Sequence, residues 1–171
     1  DALEAIYLAR YIDTATGVSL DRLTPFANIT RNSQTYAVLS VVVENTGANN
    51  ASIPMNTNLV SSSGILYHTV RQATIAAKRT GTLFVECNDS GTVGNDTSII
   101  DFYQTQIPNI RILSAEIVSA GQDMETDAQL RLRWKKALAG AGTSTYDSII
   151  GGILRISGIQ DCVIFENDTD K

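Results

Sequence analysis

The chain has 171 residues, of which 43% are hydrophobic and 18% charged, and its formal net charge is −5. The hydrophobic share is enough for a packed core and excludes intrinsic disorder, while the net acidity argues against a nucleic-acid partner, because such proteins gather Lys and Arg on their binding surface. The apolar runs are far shorter than the roughly 20 residues of a membrane-spanning helix, so no membrane partner is expected either.

Residues 1–33 are predicted to be a helical segment. Four apolar residues at helical spacing indicate an amphipathic first helix: Leu3, Ile6, Tyr7 and Tyr11. Its packing partner is expected elsewhere. Ser19 is placed to cap a second helix, and Pro25 is expected to break that helix, because proline lacks the N–H that an interior turn needs.

Residues 34–107 are predicted to form a small antiparallel β-rich domain. Alternating apolar residues mark its first strand as half-buried: Ala37, Leu39, Val41 and Val43. Further short β-favouring runs lie at residues 58–62, 65–70, 73–77 and 82–87, with turn residues between them. This spacing is typical of a small sheet, sandwich or barrel.

Residues 108–171 are predicted to form an α+β unit of strand, helix, helix and strand. The strands are expected at residues 110–118 and 162–165. Thr126 and Gln129 have the spacing of a capping box that opens the first of the two helices. The whole chain is therefore expected to be of the α+β class, with N-terminal helices, a β-rich domain and this last unit.

The two helices of the last unit suggest both a core and a contact surface. Trp134 is expected to be largely buried with Leu130 and Leu138 against the second helix. Leu132 points almost opposite to Leu130, and two glycines of the second helix lie off its apolar stripe, where small residues let another backbone approach. The candidate interface residues are Leu132, Gly151 and Gly152. The alternative is an ordinary exposed leucine with neutral glycines.

No catalytic, cofactor or metal site is predicted from the chemistry-bearing residues. His68 is the single histidine, and a lone imidazole cannot form a transition-metal ligand set. Cys87 and Cys162 could form one disulfide, but both lie in apolar strand-like runs, which favours buried free thiols over a bridge. Three acidic residues could suggest a divalent cation, although the helix dipole alone favours acids at a helix start: Asp123, Glu125 and Asp127.

Four basic residues lie close together in the first of these two helices: Arg131, Arg133, Lys135 and Lys136. They could form a patch for a polyanion. On a helical wheel they fan out beside the apolar stripe, which favours a solvated helix face instead.

Four motifs occur in order along the chain. Residues 17–23 have the pattern Gly-x-x-Leu-Asp-x-Leu and are followed by Arg31, and residues 52–60 hold an Ile-Pro turn before a strand. Residues 91–95 have the pattern Gly-x-x-Gly-Asn, and residues 121–133 have the pattern Gly-x-Asp-x-Glu-Thr-Asp-x-x-Leu-Arg-x-Arg. In this order the motifs resemble the baseplate J-like family of contractile-tail phages and related injection particles.

Tyr146 and the Ser-Gly-Ile at residues 157–159 continue the resemblance. The chain departs from the family pattern at three positions: Pro25 interrupts the first-motif helix, Asn56 stands where a Gly is usual, and Ser157 replaces a Pro. Family proteins extend past both ends of this chain, so a core fragment or an unusually short member is expected.

The resemblance implies a structural protein of the baseplate wedge without catalytic residues. Its partners would be other wedge proteins and copies of itself, in a ring around the tail hub. Its place would be the virion tail baseplate, after synthesis in the bacterial cytoplasm. Rings held by several contacts tolerate weak individual ones, so the isolated chain is expected to be a monomer or weak oligomer.

Two other functions remain open at this stage. A secreted or surface β-rich adhesin would suit the Asn-x-Ser/Thr sequons, although a chain rich in these residues produces such triplets by chance: Asn28, Asn50, Asn88, Asn95 and Asn167. The third hypothesis is an enzyme that uses Asp123, Glu125 and Asp127.

Overall fold

The computed structural model describes residues 2–104, 106–139 and 146–165. Its helices are α1 (Ala2–Leu8), α2 (Gly17–Leu23), α3 (Asp127–Ala139) and α4 (Tyr146–Leu154), with short 3₁₀ helices at Thr24–Ala27 and Thr92–Gly94. Its strands are β1 (Tyr36–Asn45), β2 (Ala51–Ile53), β3 (Asn58–Ser61), β4 (Leu66–Thr69), β5 (Ala73–Ile75), β6 (Thr80–Ser90), β7 (Ile99–Phe102) and β8 (Ile110–Ser119). The predicted α+β class is confirmed.

Contacts within the chain divide it into two units. The helical unit comprises Asp1–Ser33 and Met124–Lys171, and the β unit comprises Gln34–Asp123. Helices that precede and follow the strands in sequence therefore share one unit. The three segments predicted from the sequence differ from this grouping at residues 108–123, which lie in the β unit.

Six strands of the β unit form one antiparallel sheet in the order β7-β3-β4-β6-β1-β8, and β2 pairs with β5 in a second sheet. Strand β1 lies between β6 and β8 and pairs with both. Every second residue of β1 is buried, as its alternating sequence predicts. The β unit thus agrees with the expected antiparallel β-rich region.

The core of the β unit is apolar. It contains Ala37, Leu39, Val41, Val43, Ile53, Leu59, Tyr67, Ile75, Leu83, Val85, Cys87 and Ile99. The hydroxyl of Tyr67 donates to the carbonyl oxygens of Gly94 at 3.1 Å and Asp96 at 2.9 Å, so the one polar tip among these side chains is satisfied. Burial raises the pKa of Tyr67 to about 12. Cys87 is a buried free thiol as predicted, whereas Cys162 is free but only half-buried.

The last unit differs from the predicted order of strand, helix, helix and strand. The strand expected at residues 110–118 exists as β8, but it pairs with β1 in the β unit. Residues 161–165 carry no strand, and the side chains of Val163 and Phe165 are exposed. A strand requires a neighbour for its backbone hydrogen bonds, and β8, the other strand predicted for this unit, pairs with β1 instead.

Helix α1 is shorter than its sequence pattern indicates, and α2 begins earlier than predicted. Helix α1 ends at Leu8, and α2 begins at Gly17, two residues before the predicted cap Ser19. The Gly17 N–H donates to the Asp127 carboxylate at 3.0 Å. The break predicted at Pro25 is observed: α2 stops at Leu23, and the proline lies in the first turn of a 3₁₀ helix.

The apolar face of α3 packs differently from the prediction. The core of the helical unit consists of Ala15, Leu20, Ile29, Leu130 and Ala137. Trp134 is only half-buried at the margin of this core, and Leu138 is exposed. The reason is that Leu20 and Ile29, from a distant part of the chain, cover the Leu130 side of α3.

We expect Leu39→Ala to lower the free energy of unfolding by about 2–5 kcal/mol, because it removes a fully buried side chain from the β-unit core. Ser40→Ala is the matched control, since Ser40 is the next residue of β1 and lies on the half-buried face. Chemical denaturation of both variants measures the difference. Equal losses would contradict the assignment of the two faces.

Candidate functional site

Glu125 and Arg133, both from the 121–133 motif, form a buried ion pair in the helical unit. Glu125 is 3% exposed and Arg133 is 2% exposed. The guanidinium donates twice to the carboxylate, from Nε to Oε1 at 2.8 Å and from Nη2 to Oε2 at 2.7 Å. This two-point geometry gives the strongest kind of charged hydrogen bond in proteins.

The remaining polar atoms of this pair bind the backbone. Arg133 also donates to the carbonyl oxygens of Thr30 at 2.6 Å and Leu154 at 3.3 Å, and the N–H of Asn32 donates to Glu125 Oε2 at 3.0 Å. Burying two charges is tolerated when such additional bonds satisfy them. The pair therefore joins α3, the end of α4 and the segment after the 3₁₀ helix.

Arg31 is the centre of a second, partly buried cluster in the same unit. Its guanidinium donates to Asp21 Oδ1 at 2.7 Å, to Asp127 Oδ1 at 2.6 Å and to the carbonyl oxygen of Glu125 at 2.6 Å. Burial disfavours the charge, but the bonds to both carboxylates outweigh it and raise the pKa of Arg31. The hydrogen bond from the Gly17 N–H makes the largest contribution to lowering the pKa of Asp127, and the hydrogen bond from Arg31 lowers it further.

The prediction of a solvated basic face on α3 is wrong for two of its four residues. Arg133 is buried, and Arg131 is half-buried. The Arg131 guanidinium donates hydrogen bonds to the carbonyl oxygens of Ile12 at 2.8 Å and Ala15 at 2.5 Å. Lys135 is exposed as expected, and so is its ion-pair partner on the N-terminal segment. Both acceptors of Arg131 and the Arg133 acceptor Thr30 lie more than 100 residues away in sequence, which no local spacing reveals.

The acidic residues considered for a metal or for catalysis are not brought together. Glu125 faces Arg133, and Asp127 faces Arg31. Asp123 lies in the β unit, where its carboxylate accepts from the N–H and the hydroxyl of Thr92, both at 2.8 Å. These two bonds lower the pKa of Asp123. Among the described residues no group of three His, Cys, Asp or Glu side chains could hold a metal ion.

The start of the 121–133 motif closes a turn of the β unit. Asn95 Nδ2 donates to the carbonyl oxygen of Gly121 at 3.0 Å, and the Gly121 N–H donates back to Asn95 Oδ1 at 2.8 Å. A Cβ on Gly121 would overlap the carbonyl oxygen of Gly91, so only glycine fits there. Two separate motifs of the sequence thus meet in one contact.

Asn56, which stands where the family usually has glycine, adopts the conformation that glycine favours. Its φ is 61°, in the left-handed region that asparagine tolerates better than most residues. Asparagine at position 56 is therefore compatible with the turn that a glycine would form there.

The three candidate interface residues have different environments. Leu132 is exposed on α3, and Gly152 is exposed on α4, where an added Cβ would meet no other atom within 4 Å. Gly151, contrary to the prediction, is buried within the helical unit. It lies three residues before the buried Leu154 and hence on the inward face of α4.

Sequence reasoning missed the two ionic clusters. The sequence predicts only a possible cation site for Glu125 and Asp127 and a solvated helix face for Arg131 and Arg133. No short-range spacing links Asp21 or Arg31 to them. The single signal was that these residues belong to the motifs that carry the family resemblance. Their role in the structure is to bind one another.

We expect Arg133→Met to lower the free energy of unfolding by about 3–5 kcal/mol, because it leaves the Glu125 carboxylate buried without its cation. Lys135→Met on the same helix is the control: its ion pair with Asp13 at 2.6 Å is exposed to solvent and should contribute little to stability. Thermal or urea unfolding measures both. Similar losses in the two variants would show that the Glu125–Arg133 pair is not desolvated as described.

We also expect Asp127 to titrate below its usual range in the folded chain, because the Gly17 N–H and Arg31 stabilise its charged form. Its contribution to stability is present above the unfolded pKa, near 3.9, and is lost as the pH falls through the lower folded value. Carboxyl-carbon NMR titration measures this pKa. Arg31→Gln should raise it only in part, since the Gly17 bond remains, and an unchanged value in that variant would contradict the role of Arg31.

Comparison with protein-family models matches residues 41–124 with the Baseplate J-like protein barrel domain. No curated protein matches the chain significantly. The matched range begins within β1, contains β2 to β8 and ends at the first residue after the β unit. Residues 41–124 are thus similar to the barrel domain of the baseplate J-like family, which confirms the resemblance predicted from the sequence.

Proposed function

We propose that this protein is a structural component of the baseplate wedge of a contractile-tail phage, prophage or related particle. In this role it binds other wedge proteins and copies of itself in a ring around the tail hub. The match of residues 41–124 to the barrel domain carries the proposal, because the baseplate J-like family is structural rather than catalytic and acts at the phage tail baseplate.

The way the chain uses its motif charges supports a structural role. The carboxylates of Glu125 and Asp127 face Arg133 and Arg31 inside the helical unit, and Asp123 accepts hydrogen bonds from a turn of the β unit. Groups committed to such bonds stabilise the fold. A protein that must hold neighbours at defined positions under mechanical load needs rigid units of this kind.

The surface chemistry is compatible with protein partners. The net charge of −5 supplies no general attraction to a polyanion. No helix in the described ranges has the length and apolar character needed to span a membrane. Within the helical unit, Leu132 on α3 and Gly152 on α4 are both exposed, and they are the residues through which we propose that wedge contacts are made.

The proposed function can be tested on particles produced by the organism that carries this gene. Purified particles should contain this protein at a constant ratio to the sheath and tube proteins, and deletion of the gene should abolish complete baseplates, with restoration by the intact gene. Particles that assemble normally without it would overturn the proposal.

We expect the double variant Leu132→Glu with Gly152→Arg to stay folded but to lose at least tenfold in incorporation into particles, because it adds charge and bulk to the proposed contact. Met55→Glu is the control: Met55 is 58% exposed against 56% for Leu132, and it lies in the β unit. Quantitative mass spectrometry of complemented particles measures incorporation. Normal incorporation of the double variant would place the contacts on other surfaces of the chain.

A further inference from the structure

The interiors of the two units differ in composition. Among the described residues, the core of the β unit contains twelve buried apolar side chains, which include Leu39, Tyr67 and Leu83. The core of the helical unit contains five, of which Ala15 and Ala137 are small. Burial of apolar surface is the dominant favourable term in folding. The β unit therefore has the larger source of stability.

Polar groups occupy much of the remaining interior of the helical unit. Asn32, Glu125 and Arg133 are all buried there. Moving the two charges out of water costs free energy that their mutual attraction and hydrogen bonds only offset, although removal of one partner alone is strongly destabilising. The ion pair thus fixes how the segments are arranged but adds little net stability.

The helices of this unit depend on tertiary contacts. Helices α1 and α2 have seven residues each, and α4 has nine. Helices shorter than about 12 residues are marginal in water by themselves. The unit is also assembled from two separate segments of the chain, at residues 1–33 and 124–171. Once the contacts between these segments are lost, the short helices have nothing to stabilise them.

The β unit is closed by its own hydrogen bonds. The N–H of Thr35 donates to the carbonyl oxygen of Gln122 at 2.9 Å, and the N–H of Gln122 donates to the Thr35 hydroxyl at 3.0 Å, so the two ends of the unit are bonded to each other. Strands β1 and β6 have ten and eleven residues and pair along most of their length. These partners all lie within residues 34–123. The sheet keeps them whether or not the flanking segments are folded.

We infer that the helical unit is a conformational switch, which opens as a whole while the β unit stays folded. The closed state is rigid, because Arg133 binds Glu125, Thr30 and Leu154 at the same time. Loss of one of these bonds leaves a buried charge poorly satisfied, so the segments separate together instead of one by one.

Opening also controls which surface the chain presents. Leu132 on α3 and Gly152 on α4 are both exposed, and only the closed unit holds their two helices together. A partner that binds both residues therefore stabilises the closed state by mass action. This consequence rests on the proposed function, whereas the opening itself is a property of the isolated chain.

Urea unfolding of the full chain with two reporters tests the inference. Trp134 is the single tryptophan and lies in the helical unit, so its fluorescence follows that unit. Cys87 is fully buried in the β-unit core, so pulse labelling of its thiol follows the β unit in a Cys162→Ser background. The Trp134 transition should have a midpoint at least about 1 M lower in urea than the Cys87 transition. Coincident midpoints, or a lower midpoint for Cys87, would overturn the inference.

Substitutions in each core show whether the two transitions are separate. Ala137→Gly removes a buried methyl group from α3 and should lower the Trp134 midpoint without changing the Cys87 midpoint. Leu39→Ala in β1 should have the reverse effect. If either variant moves both midpoints together, the chain unfolds as one unit and the inference is wrong.

Arg133→Met extends the test to a helical unit that barely folds. It should open the helical unit at the lowest urea concentration of these variants, while Cys87 keeps the midpoint of the parent chain. Labelling of Cys87 in this variant without urea would contradict the inference. Lys135→Met is the control and should leave both midpoints unchanged, since its ion pair is exposed. Particle incorporation, measured separately, reports on the proposed function whatever the unfolding result.

Discussion

The buried ion pair between Glu125 and Arg133 is the interaction on which the helical unit depends. Its charges can remain in the interior only while the backbone of Thr30, Asn32 and Leu154 completes their hydrogen bonds. Each of these bonds specifies where a separate segment of the chain must lie. Movement of any one segment would leave a charged group buried and unsatisfied, at a cost of several kcal/mol. The pair therefore selects one arrangement of these segments.

Arg31 extends the same principle toward the surface of the helical unit. Through Asp21 and Asp127 it connects α2 to the start of α3, where the Asp127 carboxylate also receives the Gly17 N–H. The charged motif residues of this unit are thus satisfied by one another and by backbone groups.

The β unit is held together by different forces. Its core is apolar, and the main polar constraints lie at its turns, where Gly121 pairs with Asn95 and Asp123 binds Thr92. The 121–133 motif consequently serves two purposes along its length. Its first three residues close a turn of the β unit, and the residues from Glu125 onward form the ionic clusters of the helical unit. A contiguous motif can be required by both units for separate physical reasons.

The sequence by itself determined several local elements and the resemblance to the baseplate J-like family. The period-two pattern of β1, the break at Pro25 and the capping box, in which the Thr126 hydroxyl accepts the Gln129 N–H at 3.3 Å, all follow from backbone geometry within a few residues. Only the tertiary structure decided that β8 pairs with β1, that Arg133 is buried and that Gly151 faces inward. The reason is that these outcomes depend on distant partners: Arg133 finds its acceptor Thr30 across 103 positions of sequence, and no local pattern encodes the position of that carbonyl.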